Sequence, residues 1–257
     1  MLIDAHCHLD FADFDADRAA VFDRAGEAGV RHFVVPGTTR GAWPGVLALG
    51  RRVDVSVCLG LHPYFMDAHR LENAADMQAL EAALDAHSEV VAVGECGIDA
   101  RFKNTLEAQW RLFDAQLRLA KRFDLPVVIH CVHANDEVAK RLRQLALPRG
   151  GLIHAFGGSP QQAQRFVDLG YTLGLGGALT YPRAKKLHRA VKSLPENGFV
   201  LETDSPDMPL QGQQGKRNEP ANVARVCEHV AALRGDNTAR IAASTTANAQ
   251  ALFRLLR

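Results

Sequence analysis

The sequence contains few of the features that mark secreted or membrane proteins. No apolar run approaches the roughly 18 residues of a membrane-spanning helix. The first residues include Asp4, His6 and His8, where a signal peptide would carry basic and then apolar residues. No two cysteines have the C-x-x-C spacing, and four of the five lie in apolar runs that suit reduced thiols. We therefore expect a cytoplasmic protein that does not enter a membrane.

An excess of charge of one sign is also absent. The chain has 30 Lys and Arg against 29 Asp and Glu, which gives a formal net charge of +1 at pH 7. Such a balance produces no global positive field, so any anionic substrate must be captured by local groups. Glycine motifs that cradle nucleotides are missing too, because neither G-x-G-x-x-G after the first strand nor G-x-x-x-x-G-K-[ST] occurs.

The chain does contain eight apolar, β-branched runs that alternate with segments of helical spacing. The predicted strands are residues 2–6, 32–37, 55–63, 90–95, 126–130, 151–158, 171–177 and 199–204. The predicted helices include residues 16–28, 75–86, 106–122, 135–145 and 160–169. Alternating strands and helices favour a parallel sheet covered on both faces. Eight such units in about 250 residues predict an α/β fold of the TIM (β/α)8 barrel type, as a single domain over residues 1–257; an open doubly wound sheet is the alternative.

The run IDAHCHLD, residues 3–10, places two histidines two positions apart at the end of the first predicted strand. In an extended strand His6 and His8 point to the same side, where two neutral imidazoles suit a divalent metal ion. Further polar side chains follow the other predicted strands, namely His62, Glu95, His130, His154 and Asp204. A parallel barrel gathers such residues at its C-terminal face, and buried carboxylates there favour a bound cation.

The number of candidate ligands indicates the kind of metal site. One structural zinc ion needs four ligands, whereas six nitrogen and oxygen donors on separate strands suit two cations bridged by a carboxylate. Glu95 is the natural bridge, because it is the carboxylate midway along the strand order. The donor types accept Zn, Mn, Ni, Co or Fe, and also Mg, so they do not identify the metal.

The sequence resembles the TatD family of metal-dependent hydrolases from end to end. The matching blocks are DAHCHLD at the start, GLHP at 60–63, VGECGID at 93–99, VIH at 128–130, HAFGGS at 154–159, LETDSP at 201–206, RNEP at 217–220 and NAQALF at 248–253. The resemblance implies a TIM-barrel hydrolase that binds two divalent metal ions. It assigns one ion to His6, His8, Glu95 and Asp204, and the other to Glu95, His130 and His154. It places His62 facing the substrate.

Two departures from the family pattern concern the substrate. Family members known as DNases commonly carry an Arg two residues after the histidine of the fifth strand, where this chain has Val132 followed by His133. The segment PDMPL after Asp204 is similar to the YjjV-like branch of the family. His133 and Arg217 are candidate contacts to non-bridging phosphate oxygens, although Asn218 and Pro220 also make the segment around Arg217 a good helix start.

The leading functional hypothesis is a two-metal phosphodiesterase or deoxyribonuclease that acts on DNA or another phosphoester as a monomer. In this hypothesis Asp204 orients the attacking water and accepts its proton, and Glu95 and His62 complete the catalytic group. The second hypothesis is an amidohydrolase-like enzyme that cleaves a small ester, amide or lactone with the same metals. The third is a non-catalytic, metal-stabilised barrel that acts through a partner.

Overall fold

A computed structural model describes residues 1–255 of the chain, and within them the strands and helices alternate as the sequence predicts. The strands are β1 Leu2–Asp4, β2 Val30–Pro36, β3 Val55–Leu59, β4 Val90–Asp99, β5 Val127–Val132, β6 Gly151–Ile153, β7 Tyr171–Leu175 and β8 Phe199–Leu201. The helices are α1 Arg18–Glu27, α2 Trp43–Leu49, α3 Ala75–Ala86, α4 Leu106–Arg122, α5 Asn135–Leu145, α6 Pro160–Asp168, α7 Lys185–Ser193, α8 Val223–Arg234 and α9 Thr238–Phe253. No helix in this part of the chain is long and apolar enough to cross a membrane.

The eight strands pair in parallel in their sequence order, from β1 to β8. Polar contacts then join the first strand to the last: the backbone N–H of Ala5 donates to Leu201 O at 2.9 Å, and that of Asp204 donates to His6 O at 2.9 Å. The Asp4 carboxylate also accepts hydrogen bonds from the backbone and hydroxyl of Thr203, at 2.9 and 2.6 Å. The sheet therefore closes into a TIM barrel, and the open-sheet alternative is wrong.

Alternate residues of the strands face the barrel interior and the surrounding helices, as the two-residue period of a strand requires. The interior cluster takes one small or branched side chain from most strands, namely Ile3, Val34, Cys58, Ala92, Val128, Leu152 and Val200. Phe253 and Ala249 of α9 complete this cluster. Helix α9 lies at the N-terminal end of the strands, because Thr246 donates to Met1 O and Asn248 donates to Phe199 O.

Several predicted boundaries are correct, and the differences matter for the site. Helices α3, α4 and α5 have the predicted limits, and all five cysteines are free thiols. Strand β6 ends one residue before His154, and strands β3 and β8 end three residues before His62 and Asp204, so these three residues lie on loops. Strands β4 and β5 instead extend together to the pair Asp99 and Val132, because their backbones keep pairing beyond the mouth of the barrel.

Candidate metal centre

Glu95 lies at the middle of the site and is almost fully buried. Its Oε1 atom lies 2.8 Å from His154 Nε2, 2.8 Å from His62 Nε2 and 3.1 Å from His130 Nδ1. Burial opposes ionisation of this carboxyl, yet the surrounding imidazoles hold the pKa of Glu95 well below its usual range. One oxygen of Glu95 therefore faces the histidine within β5 and the histidines that follow β3 and β6.

The second oxygen of Glu95 faces a different set of ligands. Oε2 lies 3.2 Å from His6 Nε2 and 3.3 Å from His8 Nε2, and the same two nitrogens lie 3.4 and 3.5 Å from Asp204 Oδ1. Ligand atoms around one tetrahedral ion with bonds of about 2.1 Å are separated by roughly 3.4 Å. The spacing of these four side chains therefore matches the coordination shell of one cation.

The surroundings of Glu95 suit cations better than direct hydrogen bonds. Its Oε2 has no hydrogen-bond partner among the described residues, although it is buried, and an unpaired buried carboxylate oxygen is costly. Three groups of donor atoms are close enough to hold an ion, namely His6 with Glu95 and His154, His6 with His8 and Asp204, and His62 with Glu95 and His130. Nitrogen and oxygen donors of this kind bind divalent transition metals.

His154 lies between the two ligand sets. Its ring stacks on the ring of His6, with centroids 4.0 Å apart and an interplanar angle of 9°, while its Nε2 points to Glu95 Oε1. Because Glu95 is shared as well, the two sets are adjacent and form one centre.

The tautomer of His62 separates it from the candidate ligands. The backbone N–H of Tyr64 donates to His62 Nδ1 at 3.0 Å, so Nδ1 carries no proton and Nε2 does. Burial lowers the pKa of His62 to about 4, which keeps the ring neutral. The Nε2–H group donates to Glu95 Oε1 and has no lone pair for a metal ion. His62 lines the cavity described below, and a contact with the substrate stays a prediction.

Glycines on both sides of Glu95 allow the neighbouring strands to approach this residue. Gly94 and Gly97 have φ angles of 157° and 141°. A Cβ atom at Gly97 would lie 2.0 Å from His130 O, and one at Gly94 would lie 2.7 Å from Val128 O. Only glycine therefore lets β4 and β5 pair closely enough to bring Glu95 to His130.

Two buried carboxylates behind the imidazoles were not identified from the sequence. Asp99 Oδ2 lies 3.2 Å from His130 Nε2, and Glu202 Oε1 lies 3.9 Å from His154 Nδ1. A carboxylate at the distance of Asp99 fixes the orientation and tautomer of a metal-binding histidine, whereas the separation of Glu202 from His154 is too long for a hydrogen bond. Burial raises the pKa of Glu202 to about 8. Asp99 is the last residue of β4 and Glu202 directly follows β8, and this position at a strand end could have identified both from the sequence.

The loop that carries Asp204 is held by Asn218. The Asn218 amide donates to Thr203 O at 3.0 Å, to Asp207 O at 2.9 Å and to Met208 O at 3.2 Å. The sequence suggested Asn218 as the cap of a helix start; a 3-10 turn does begin at Pro220 and leads into α8 at Val223, but its N-cap residue is Glu219. Asn218 of the RNEP block thus positions the Asp204 loop, because its buried side-chain amide donates to three carbonyl oxygens of that loop.

The structure does not bring Arg217 or His133 to the other site residues. Arg217 donates from both terminal nitrogens to Asp17, at 2.7 and 2.8 Å, and also to Glu219 at 3.0 Å. His133 is exposed at the turn before α5, where its φ of 54° directs the chain away from β5. Neither residue belongs to the lining of the cavity over Glu95.

A cavity of about 560 Å³ opens over Glu95 at the C-terminal end of the barrel. His8, Glu95, His130, His154 and Asp204 contribute to its floor, and His6 lies buried beneath them. Its wall includes side chains that the sequence did not indicate, namely Phe11, Tyr64, Phe65, Arg101 and Met208. The candidate metal centre is therefore accessible to a substrate.

Comparison with known proteins identifies the family. A family model described as TatD related DNase matches residues 3–254. The Escherichia coli protein named uncharacterized metal-dependent hydrolase YjjV is 43% identical over 254 residues, covering 98% of this chain and 97% of the relative. The crystal structure of YJJV, a TATD homolog from Escherichia coli, superimposes with a TM-score of 0.95 at 42% identity, covering 99% of this chain and 98% of that chain.

Two relatives carry more specific names. Human deoxyribonuclease TATDN3 is 32% identical over 267 residues, covering 100% of this chain and 96% of the relative. The 3'-5' ssDNA/RNA exonuclease TatD of Erwinia amylovora is 32% identical over 265 residues, covering 99% of this chain and 100% of the relative. The chain belongs to the TatD family and is a metal-dependent hydrolase, as its sequence blocks predict.

Proposed function

We propose that this TatD-family hydrolase cleaves phosphodiester bonds of nucleic acid with two divalent metal ions. The observation that carries the proposal is the position of Glu95, whose two oxygens face two separate sets of nitrogen and oxygen donors. A carboxylate that is shared in this way is the natural bridge between paired cations. His6, His8, Glu95 and Asp204 would hold one ion, and Glu95, His130 and His154 would hold the other.

Bound divalent ions supply two things to phosphoester hydrolysis, a nucleophilic water at neutral pH and neutralisation of the charge that grows on the phosphoryl oxygens. The chain itself supplies the base. Asp204 is the more exposed of the two central carboxylates, with 16% of its side chain accessible against 1% for Glu95. Its carboxylate therefore reaches the cavity, where it orients the attacking water and accepts its proton.

His62 supplies a hydrogen-bond donor at the floor of the cavity. Its Nε2–H group donates to Glu95, and Tyr64 keeps the ring in this tautomer. The same N–H group would donate to a non-bridging phosphoryl oxygen of a bound substrate. A neutral donor in a buried position stabilises charge that develops in the transition state.

The substrate class is inferred from the activities after which two relatives are named and from the shape of the site. Two relatives are named as nucleases, one for DNA and one for single-stranded DNA and RNA. An open cavity of about 560 Å³ accommodates a polymer segment as well as a small phosphoester. All six proposed ligands come from one chain, which supports a monomeric, single-domain enzyme. The cytoplasm stays its predicted compartment.

The test begins with protein stripped of metal and reconstituted with Mn²⁺, Mg²⁺ or Zn²⁺. Turnover is measured on single-stranded DNA, on bis(4-nitrophenyl) phosphate and on a carboxylic ester, with Asp204→Asn as the control. We expect metal-dependent cleavage of DNA and the phosphodiester, and a loss of roughly 10²–10⁴-fold in the Asp204 variant, the range for removal of a general base. Turnover of the carboxylic ester alone would favour the amidohydrolase-like alternative, and no metal-dependent turnover would favour the non-catalytic barrel.

A further inference from the structure

We propose that Arg101 and Tyr64 form a subsite for the nucleotide next to the scissile phosphodiester. In this subsite the Arg101 guanidinium binds the flanking phosphate, and the ring of Tyr64 stacks on the base. The inference rests on the proposed nuclease function and extends it, because it requires a substrate with at least two phosphates.

Arg101 has one edge of its guanidinium bound and the other edge free. Its Nε and Nη2 atoms donate to Asp99, at 2.9 Å to Oδ1 and 2.5 Å to Oδ2. Nη1 makes no hydrogen bond with the part of the chain that the structure describes, and 54% of the side chain is accessible. An arginine fork whose second edge faces solvent can take a phosphate in a bidentate manner.

Arg101 is also the positive side chain that the cavity offers to a polyanion. Among the described residues that line the cavity, no other Lys or Arg occurs. The chain carries a formal net charge of only +1, so a general attraction to nucleic acid does not replace this local contact. Phosphate contacts from single guanidinium groups position a nucleic acid on a protein surface.

The position of Arg101 assigns it to a flanking phosphate. His130 Nε2 contacts Asp99, and Asp99 in turn contacts Arg101. Asp99 thus separates the guanidinium from the His130 imidazole that faces Glu95, and the guanidinium lies on the wall of the cavity. Because this chain of contacts sets Arg101 farther from Glu95 than the candidate ligands, we assign it to the phosphate next to the one held over Glu95.

Tyr64 supplies a rigid aromatic surface beside Arg101. Tyr64 is 57% exposed. Few other large apolar residues of the described chain are exposed to this degree. The ring is held edge-on by Phe65, with centroids 5.1 Å apart, and by Phe102, with centroids 5.4 Å apart. Phe102 is also the ring beneath the Arg101 guanidinium, at 5.7 Å. A fixed, exposed ring next to a phosphate contact is the usual arrangement for binding single-stranded nucleic acid.

A second Asp–Arg pair provides a matched control. Arg52 binds Asp54, two residues away, through the same Nε and Nη2 atoms, at 2.9 and 2.8 Å. Its side chain is 47% exposed, but it precedes β3 at the N-terminal end of the barrel and does not line the cavity. Arg52→Met therefore removes an equivalent ion pair without removing the proposed phosphate contact.

The experiment compares Arg101→Met, Arg101→Lys and Tyr64→Ala with Arg52→Met. Binding of a fluorescein-labelled oligodeoxynucleotide to the metal-free protein is followed by anisotropy over a range of salt concentrations. Hydrolysis by the Mn²⁺-loaded protein is measured on the same oligonucleotide and on bis(4-nitrophenyl) phosphate, which has no flanking phosphate. An oligonucleotide with abasic sites reports the contribution of the base, and metal content is measured for every variant.

We expect Arg101→Met to raise Kd and KM for the oligonucleotide roughly tenfold, the effect of one strong phosphate contact, with a far smaller change in kcat. The slope of log Kd against log salt should fall by about 0.7, the value for one phosphate of a single strand. Arg101→Lys should restore the salt slope but only part of the affinity. Tyr64→Ala should weaken binding roughly tenfold for the normal strand and much less for the abasic strand, and Arg52→Met should change nothing.

Two results would overturn the inference. If Arg101→Met reduces metal content and slows both substrates equally, Arg101 only positions Asp99 and His130. If Kd and KM are unchanged in both variants, the subsite does not exist. Failure of the proposed function would give a different result, because the unaltered protein would then neither bind nor cleave the oligonucleotide. That result would also remove the basis of the subsite.

Discussion

The N-terminal end of the barrel is closed by apolar side chains, whereas its C-terminal end is lined by imidazoles and carboxylates. At the N-terminal end Phe253 and Ala249 of α9 pack against Ile3, Val34 and the other interior residues, with almost no exposure to solvent. At the C-terminal end His6, His8, His62, Glu95 and His154 are nine-tenths buried or more, and the four imidazoles converge on the Glu95 carboxylate.

The difference separates stability from function. Burying apolar surface stabilises the fold directly, while burying carboxylates and imidazoles together destabilises it unless a cation or hydrogen bonds compensate. The C-terminal end therefore owes its composition to chemistry, and the N-terminal end supplies the stability that this composition requires. Variants at the two ends should have opposite effects on activity and on the free energy of unfolding.

The largest effect is expected from Glu95→Gln, which removes the charge shared by both ligand sets. Turnover of the phosphodiester should fall by roughly 10³-fold, the scale for loss of a principal electrostatic group in an active site. Metal content should fall as well. Glu196→Gln is the control, because Glu196 pairs with Arg240 away from the cavity; unaltered turnover in Glu95→Gln would contradict the account.

The second prediction concerns the apolar end. Phe253→Ala should lower the free energy of unfolding by about 3–5 kcal/mol, the usual range for a large aromatic side chain removed from a core. Urea denaturation measures this change, and kcat per folded molecule should stay the same. Val53→Ala, at a fully exposed apolar residue, should alter neither quantity. A fall in kcat without a fall in the free energy of unfolding would show that the N-terminal end of the barrel also serves catalysis, contrary to the division between stability and function.

Asp99→Asn should have an intermediate effect, because Asp99 acts on the site through His130. Loss of a carboxylate behind a metal-binding histidine lowers metal affinity by about 10- to 100-fold, which competition with a chelator measures. The hydrogen bonds from Arg101 hold the pKa of Asp99 below its usual range, against the effect of burial, so the charged form is the one removed. Asp114→Asn, which breaks a helix-to-helix pair with Arg141, should leave metal affinity unchanged.

The smallest effect is expected from Arg217→Met. Its guanidinium is occupied by Asp17 and Glu219, so the KM for an oligonucleotide should not change. The thermal midpoint should fall slightly, because the three residues join α1 to the segment before α8. An increase in KM as large as that expected for Arg101→Met would instead indicate that Arg217 contacts the substrate.

Local patterns were sufficient to predict much of the fold and the identity of the central residues. His6 and His8 both face Glu95 Oε2, although they follow β1, which ends at Asp4, and so do not lie in the extended strand that was predicted for them. The alternation of strands and helices indicated a barrel that would bring Glu95, His130 and Asp204 to one face. These inferences need only neighbours in sequence or the rule that parallel strands finish at one end.

Contacts between segments that are far apart in sequence could not be predicted in the same way. Arg217 meets Asp17 across 200 residues, and Phe253 reaches the barrel interior only because α9 returns to the N-terminal end. The direction of Arg101 depends on how far β4 and β5 continue to pair. Which oxygen of Glu95 each histidine faces also depends on side-chain rotamers, which a sequence pattern does not encode.

The central claim, a carboxylate shared by two cations, is tested most directly by adding Mn²⁺ to the metal-free protein and recording its electron paramagnetic resonance spectrum. The account predicts two bound ions per chain with the spectrum of a spin-coupled pair, replaced by isolated or lost Mn²⁺ in Glu95→Gln. A single bound ion that restores full activity, or two ions with no coupling, would contradict it.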